Sequence, residues 1–194
     1  MAYFPMFVDL TQKECLIVGG GEVALRKVQV LLDFDAKVLV IAKAISKDIV
    51  EISLENPNLT IKERDFLESD IQGKKLVVAA TSDEELNKQI FQLCEAINIP
   101  VNVVDVQDKC SFIFPSYVKE NDVVGAFSSG GKSPILTQHL RDREKEIITP
   151  ELGALNDELG EIREELKKTI PDQKERKKAL KTLTLDKVLK LSSR

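Results

Sequence analysis

Three consecutive glycines before a helix-like segment are the first residues in this sequence that could do chemistry. The run GGGEVA at residues 19–24 fits the pattern G-x-G-x-x-A, between an apolar run and a segment with helical spacing. In this pattern Gly19 permits a tight turn, Gly21 lets a pyrophosphate approach the backbone, and small Ala24 lets helix and strand pack closely. Amides at the helix start would face the phosphates. The pattern predicts a dinucleotide site; the alternative is a glycine turn that binds nothing.

The end of the second predicted strand departs from the usual NAD pattern. An acid about 20 residues after the glycines normally holds the ribose hydroxyls. Here Lys43 and Ala44 occupy that place, and the nearest acids, Asp35 and Asp48, fall before the strand and inside the next helix. Lys43 could favour a 2′-phosphate or be a solvated lysine at a strand end. Spacing alone therefore leaves NAD and NADP open.

Asp105 closes the apolar run VNVVD, which predicts a buried strand. It would lie on the carboxyl edge of the sheet, where open α/β proteins bind ligands. There Asp105 could act as a general base or position a substrate proton; the alternative is an N-cap or turn aspartate. Thr81, at the end of the preceding strand, is expected to line the same edge beside the cofactor.

A second small-residue loop, SSGGKSP, occupies residues 128–134. Its serine hydroxyls, exposed amides and Lys132 at a helix start form a plausible anion-binding surface. The structural alternative is a capped turn with Pro134 at the first helical position. Both interpretations stay open on the sequence.

Strand and helix patterns alternate through the first half of the chain, which predicts an α/β fold with a parallel sheet of the Rossmann type. The predicted strands cover residues 14–18, 37–42, 59–63, 75–80 and 101–105, and the predicted helices cover 22–33, 46–54 and 82–97, with Ser82 as N-cap.

The pattern changes after Phe112. CSFIFPS and residues 122–127 predict two further strands, followed by a helix over 135–148 that Pro150 ends. From Glu151 the sequence predicts helices broken at Pro171 and near Thr184. We therefore predict a nucleotide-binding domain over 1–112, a small α/β segment over 113–150 and a helical domain over 151–194.

Composition excludes several classes of protein. The 43% hydrophobic content can fill a core and the 31% charged content is ordinary, which excludes a disordered chain. No apolar run approaches the roughly 20 residues that span a bilayer, and the N-terminus lacks a secretory signal pattern, so we expect a cytoplasmic protein without a membrane partner. A single histidine, His139, and three widely spaced cysteines predict neither a metal site nor a disulfide framework.

Charge is unevenly distributed. Residues 167–194 hold ten Lys or Arg and three Asp or Glu, although the whole chain has a net charge of −4. A basic tail could bind nucleic acid. Leucines interleaved with these lysines instead fit amphipathic helices whose lysines face water, so no nucleic-acid partner is expected.

Together, the segments resemble a known family. YFPMFVDL, CLIVGGGEVALRK, AATSDEELN, NVVD, CSFIFPS and SSGGKSPILTQHLRDR, in this order, are similar to the precorrin-2 dehydrogenase and sirohydrochlorin ferrochelatase family, over about residues 3–153. The resemblance implies NAD-dependent oxidation of precorrin-2 to sirohydrochlorin by a homodimer, with residues 113–150 at the dimer interface.

The resemblance also implies roles for particular residues. It gives Asp105 the catalytic role and places Ser129, with Gly131 in the same glycine loop, near the tetrapyrrole. Lys132 is a further candidate for substrate binding, because precorrin-2 is a polycarboxylate that needs basic groups. The implied cofactor contacts are Gly19, Gly20, Gly21, Glu22, Val23, Lys43 and Ala44, beside Thr81. Two alternatives remain: a bifunctional enzyme that also inserts Fe²⁺ into sirohydrochlorin, and a non-catalytic NAD-sensing module.

Overall fold

The computed structural model describes residues 3–192, so residues 1–2 of the first predicted domain and 193–194 of the last lie outside the described part. The chain divides into two compact units, one ending at Ile113 and the other beginning at Phe114. The three predicted domain boundaries stay a prediction.

The first unit contains five strands and three α-helices among the described residues. In chain order they are β1 (Glu14–Val18), α1 (Glu22–Asp33), β2 (Lys37–Ala42), α2 (Lys47–Glu55), β3 (Leu59–Glu63), β4 (Leu76–Ala79), α3 (Glu84–Ala96) and β5 (Val101–Val103), with short 3₁₀ turns at Glu68–Ile71 and Gln107–Lys109.

The five strands form one parallel sheet in the order β3-β2-β1-β4-β5. Chain order reverses at β1, which pairs with β2 on one side and β4 on the other. Residues that follow β1, β2, β4 and β5 therefore share the carboxyl edge of the sheet, where such folds bind ligands. The prediction of a Rossmann-type parallel sheet is confirmed.

The inner strands β1, β2 and β4 are nearly continuous apolar runs and are largely buried, as parallel sheets covered on both faces require. Leu16, Val77 and Val101 of the sheet belong to one buried cluster with Ile90 and Cys94 of α3. Helix α1 packs against β1 and β2, and its Ala24 is fully buried. This packing holds the strand ends, and the loops that follow them, in fixed register.

The second unit is a β-hairpin with three helices among the described residues. It comprises β6 (Ser116–Glu120), β7 (Val123–Phe127), α4 (Pro134–Glu144), α5 (Pro150–Thr169) and α6 (Gln173–Ser192). The strands pair antiparallel. Helix α5 approaches β6 closely: a Cβ on Gly153 would lie 3.0 Å from the Glu120 carbonyl oxygen.

Three local predictions are wrong in detail. The fifth strand ends at Val103 rather than Asp105, because the chain turns at Val104 and Asp105. Asp83 rather than Ser82 caps α3, since its carboxylate accepts from the Leu86 amide at 3.0 Å. CSFIFPS is not a strand; β6 begins only at its last residue, Ser116.

The helical half also differs from the prediction. Helix α4 ends at Glu144, and Pro150 begins α5 instead of ending a helix, because Thr149 supplies the N-cap and proline is accepted at the first helical position. Helix α6 runs through Thr184 without a break. Leu185 and Leu189 on α6 are exposed, so the expected amphipathic pattern is only partly present.

Candidate functional site

Gly19 forms the turn that leaves β1. Its φ of +129° is one that side-chain-bearing residues rarely adopt. A Cβ there would lie 2.2 Å from the Ala80 carbonyl oxygen, because the turn runs directly beside the end of β4. The tight turn predicted for Gly19 is therefore present, and the neighbouring strand as well as the backbone angle demands glycine.

Gly20 is fixed by the end of the second strand. A Cβ on it would lie 2.2 Å from the Ala44 carbonyl oxygen, and the Gly20 carbonyl accepts from the Ser46 amide at 2.9 Å. The β2–α2 loop is thus hydrogen-bonded to the glycine turn. Lys43 and Ala44, predicted to contact a cofactor, are held next to the turn by these contacts.

Gly21 differs from its neighbours because nothing lies within 4 Å of where its Cβ would be. It is the N-cap of α1 and provides no side-chain cap; the first helical bond runs from the Leu25 amide to the Gly21 carbonyl. Glu22 is exposed and Val23 half-buried. An open, uncapped helix start gives a diphosphate both backbone access and a favourable dipole.

Ser46, beside the glycine turn, has a buried hydroxyl oxygen with no hydrogen-bond partner among the described residues. Buried polar atoms usually have a partner in the protein, in water or in a ligand. This atom and the open space at Gly21 fit a dinucleotide laid along the turn. They are observations that sequence patterns do not provide.

Lys43 is paired with an acid from the next strand. Its Nζ lies 3.0 Å from an Asp65 carboxylate oxygen, and both side chains are largely exposed. The hydrogen bond from Lys43 to Asp65, and the negative charges of Asp65 and Asp83, raise the pKa of the lysine. The sequence pattern does not reveal Asp65, because this residue follows β3 whereas the usual pattern has the acid after β2.

Asp65 is positioned by its neighbour Arg64. The Arg64 guanidinium forms two hydrogen bonds to Asp70, at 2.7 and 2.8 Å, and donates to the Asp65 carbonyl at 2.7 Å. The bidentate pair lowers the pKa of Asp70. Arg64 therefore joins the 3₁₀ turn at Glu68–Ile71 to the loop that carries Asp65.

Thr81 follows β4 on the same edge, as predicted. Its hydroxyl lies 2.8 Å from Oδ1 of buried Asn87, whose amide nitrogen donates to the Thr81 carbonyl at 2.9 Å. This network shapes the β4–α3 turn. Asn87 is a positioning residue that the sequence analysis missed, although it belongs to the motif AATSDEELN.

Asp105 lies in the turn after β5, exposed and with a φ of +61°. Aspartate tolerates this conformation better than most residues, so the turn alternative holds for its backbone. Its carboxylate affects Lys27 of α1: burial chiefly lowers the pKa of Lys27, whereas the charge of Asp105 opposes that shift. Asp105 thus shares the carboxyl edge with the glycine turn and Thr81 and lies within electrostatic reach of a lysine.

The second loop lies in the second unit. Ser129 accepts a hydrogen bond from the Ser133 amide at 2.9 Å, and Gly131 has a φ of +82°. Ser133 caps α4 by accepting from Leu136. Lys132 is exposed. The capped-turn interpretation is therefore present in the structure, and substrate binding by these residues stays a prediction.

The cysteines have environments that favour the thiol form. Cys15 and Cys94 are buried, and burial raises the pKa of each to about 11. The Cys110 thiol donates to the Val103 carbonyl at 3.2 Å and helps to close the turn after β5.

Within residues 3–192, no group of three or more His, Cys, Asp or Glu could hold a metal ion. No helix in that range is long and apolar enough to cross a membrane.

The parallel sheet, the glycine turn after its central strand and the open helix start define a Rossmann-type dinucleotide-binding protein. The family described as putative NAD(P)-binding matches residues 6–116, more than half of the chain. The chain belongs to this family.

Comparison with individual proteins confirms the resemblance stated from the motifs. The chain is 39% identical to a siroheme synthase of Ruthia magnifica over 177 residues, 91% of this chain and 37% of that protein. A siroheme synthase of Nitrosomonas europaea is 37% identical over the same shares. The chain spans less than two fifths of the length of these relatives.

A solved structure has the same fold. SirC, a precorrin-2 dehydrogenase, superposes with a TM-score of 0.75 at 22% identity, covering 93% of this chain and 89% of its own. The match supports the fold over both units of the chain.

Proposed function

We propose that this protein oxidises precorrin-2 to sirohydrochlorin with NAD as hydride acceptor. The observation that carries the proposal is the shared carboxyl edge: the glycine turn, Thr81 and Asp105 all follow strands of one parallel sheet. Similarity to siroheme synthases over 91% of the chain supports the choice of substrate.

In this proposal the chain's own residues bind and orient the dinucleotide and the macrocycle, and they remove a proton from the macrocycle. The Gly21 backbone and the start of α1 hold the diphosphate, and Gly20 keeps the β2–α2 loop against the adenosine half. Bound NAD supplies a two-electron acceptor for a hydride from a ring carbon. The Asp105 carboxylate accepts the proton that must also leave the macrocycle.

Precorrin-2 carries several carboxylates, so its site needs cations or amide donors. Lys132 and the loop of Ser129 and Gly131 are the proposed contacts. Insertion of Fe²⁺, which would be a substrate here, is implied only by the resemblance. A cytoplasmic location is inferred only from composition. Neither carries weight in the proposal.

We also propose that the protein is a homodimer. Helix α4 and the turn after it expose apolar side chains, with Ile135 80% and Ile147 63% accessible. Such a patch on a short helix is typical of an interface. It lies within residues 113–150, which the resemblance assigns to dimerisation.

The variant Asp105→Asn tests the catalytic assignment. Asparagine keeps the left-handed turn but cannot accept the proton. NADH formation from precorrin-2 should fall by about 10²-fold or more, while NADH binding, measured by fluorescence titration, should be unchanged. Asp108→Asn removes a charge three residues away and should leave both values near wild type; equal rates in the two variants would remove Asp105 from the mechanism.

A further inference from the structure

Lys43 and Asp65, which follow β2 and β3, form an ion pair at 3.0 Å. We propose that Asp65 makes the dinucleotide site selective for NAD over NADP, by occupying Lys43 and by placing negative charge where a 2′-phosphate would lie. This inference rests on the proposed function, because it assumes that the dinucleotide binds along the glycine turn.

The pair lies beside the dinucleotide turn. Lys43 directly follows β2, and the Ile41 carbonyl accepts from the Gly19 amide at 2.9 Å. One residue beyond Lys43, the Ala44 carbonyl occupies the space of a Gly20 side chain. In folds of this type the residues after the second strand meet the adenosine ribose. Lys43 is thus the residue that a 2′-phosphate would be expected to recruit.

Asp65 brings in the missing acid from the neighbouring strand. Ala42 pairs with Glu63 in the β2–β3 register, so the chain after β3 runs alongside Lys43. The Asp65 main chain is fixed by Arg64, whose guanidinium is itself anchored on Asp70. The residue that contacts Lys43 at 3.0 Å therefore lies on a loop that the Arg64 hydrogen bonds hold in place.

The charges near the pair oppose a second phosphate. Asp65 neutralises Lys43, and Asp83 at the start of α3 adds a further carboxylate within electrostatic reach. Arg64, the other cation on this loop, is engaged by Asp70. A 2′-phosphate with nearly two negative charges would have to separate the Lys43–Asp65 pair and lie beside its carboxylate. The ribose hydroxyls of NAD carry no charge and meet no such penalty.

The test is equilibrium binding of NADH and NADPH, followed by nucleotide fluorescence at low salt. The wild-type chain should bind NADH more tightly. In Asp65→Asn, NADPH affinity relative to NADH should rise about five- to tenfold, since Lys43 is released and one repulsive charge is lost. Adding Lys43→Met to that variant should abolish most of the gain. The gain should also shrink at high salt, where exposed charges are screened.

Glu55→Gln is the matched control, because Glu55 is an exposed acid at the far end of α2. It should leave the NADH to NADPH ratio at the wild-type value. If wild type binds NADH and Asp65→Asn leaves the ratio unchanged, the inference fails and the proposed function stands. If wild type binds neither dinucleotide, both fail.

Discussion

At the scale of single residues, the three glycines differ in what excludes a side chain. A methyl group on Gly19 or Gly20 would lie 2.2 Å from a backbone oxygen, that of Ala80 or Ala44 respectively, whereas Gly21 faces open space. Two of the glycines are therefore required by the fold, and the third leaves the open space that the proposed diphosphate would need. The pattern G-x-G-x-x-A predicts the turn but not this division, which depends on neighbouring strands.

The division predicts opposite effects for alanine substitutions. Gly20→Ala should lower the free energy of unfolding by about 1–3 kcal/mol, because the β2–α2 loop must move away. The urea midpoint of unfolding should fall accordingly. Gly21→Ala should leave the midpoint near wild type and weaken NADH binding by about tenfold or more, because the methyl group would meet the diphosphate. Chemical denaturation and fluorescence titration measure the two effects; a Gly21→Ala protein with normal NADH affinity would contradict the site.

The positions of some site residues can be predicted from the sequence, and those of others cannot. Thr81 and Asp105 were placed on the correct edge because strand order along the chain fixes which loops share it. Asp65 and Asn87 were missed, since each acts across a gap in sequence: Asp65 pairs with Lys43 22 positions earlier in the chain, and Asn87 closes a turn from within a helix. The pairing of Lys43 with Asp65 is tertiary and leaves no local spacing signal, whereas Asn87 lies within a motif whose turn contacts the sequence pattern does not specify.

At the scale of elements, β1, β2 and β3 have the bounds that the sequence predicts. β1 and β2 are nearly continuous apolar segments because they are largely buried on both faces, whereas β3 is an edge strand with polar residues between its apolar ones. Turns were harder. Val104 is as apolar as the strand before it, yet the chain turns there. Pro150 can end a helix or begin one, and Thr149 as a cap decides which.

The Arg64–Asp70 ion pair, which anchors the 3₁₀ turn at Glu68–Ile71, should make the stability of the fold depend on pH. Arg64 lowers the pKa of Asp70 below its ordinary 3.8, so the ion pair stabilises the fold above that pH, and the stabilisation is lost as pH falls below it. Asp70→Asn should therefore be less stable than wild type at pH 7, by about 1–3 kcal/mol, and should lose less stability on acidification.

Urea unfolding between neutral and acidic pH measures this difference. Glu51→Gln, at an exposed acid in the middle of α2, should follow the wild-type curve. Parallel curves for wild type and Asp70→Asn would show that the Arg64–Asp70 pair adds nothing to stability.

At the scale of the whole molecule, the dimer proposal predicts the effect of a charge on α4. Ile135→Asp should convert a dimer, at twice 21.7 kDa, into a monomer of that mass, because a buried aspartate has no partner in an apolar interface. Gln92→Asp adds the same charge at an exposed polar position of α3, outside residues 113–150, and should stay dimeric. Sedimentation velocity distinguishes the two; a monomeric wild type would contradict the proposal.

Hydride transfer from precorrin-2 to NAD is the reaction that we propose for this chain. The most direct measurement mixes wild-type protein, precorrin-2 and NAD without oxygen and records both chromophores. We expect the macrocycle spectrum to become that of sirohydrochlorin with one NADH formed per macrocycle, and no change when NAD is left out. A rate no greater than that of the enzyme-free mixture, from protein that binds NADH normally, would contradict it.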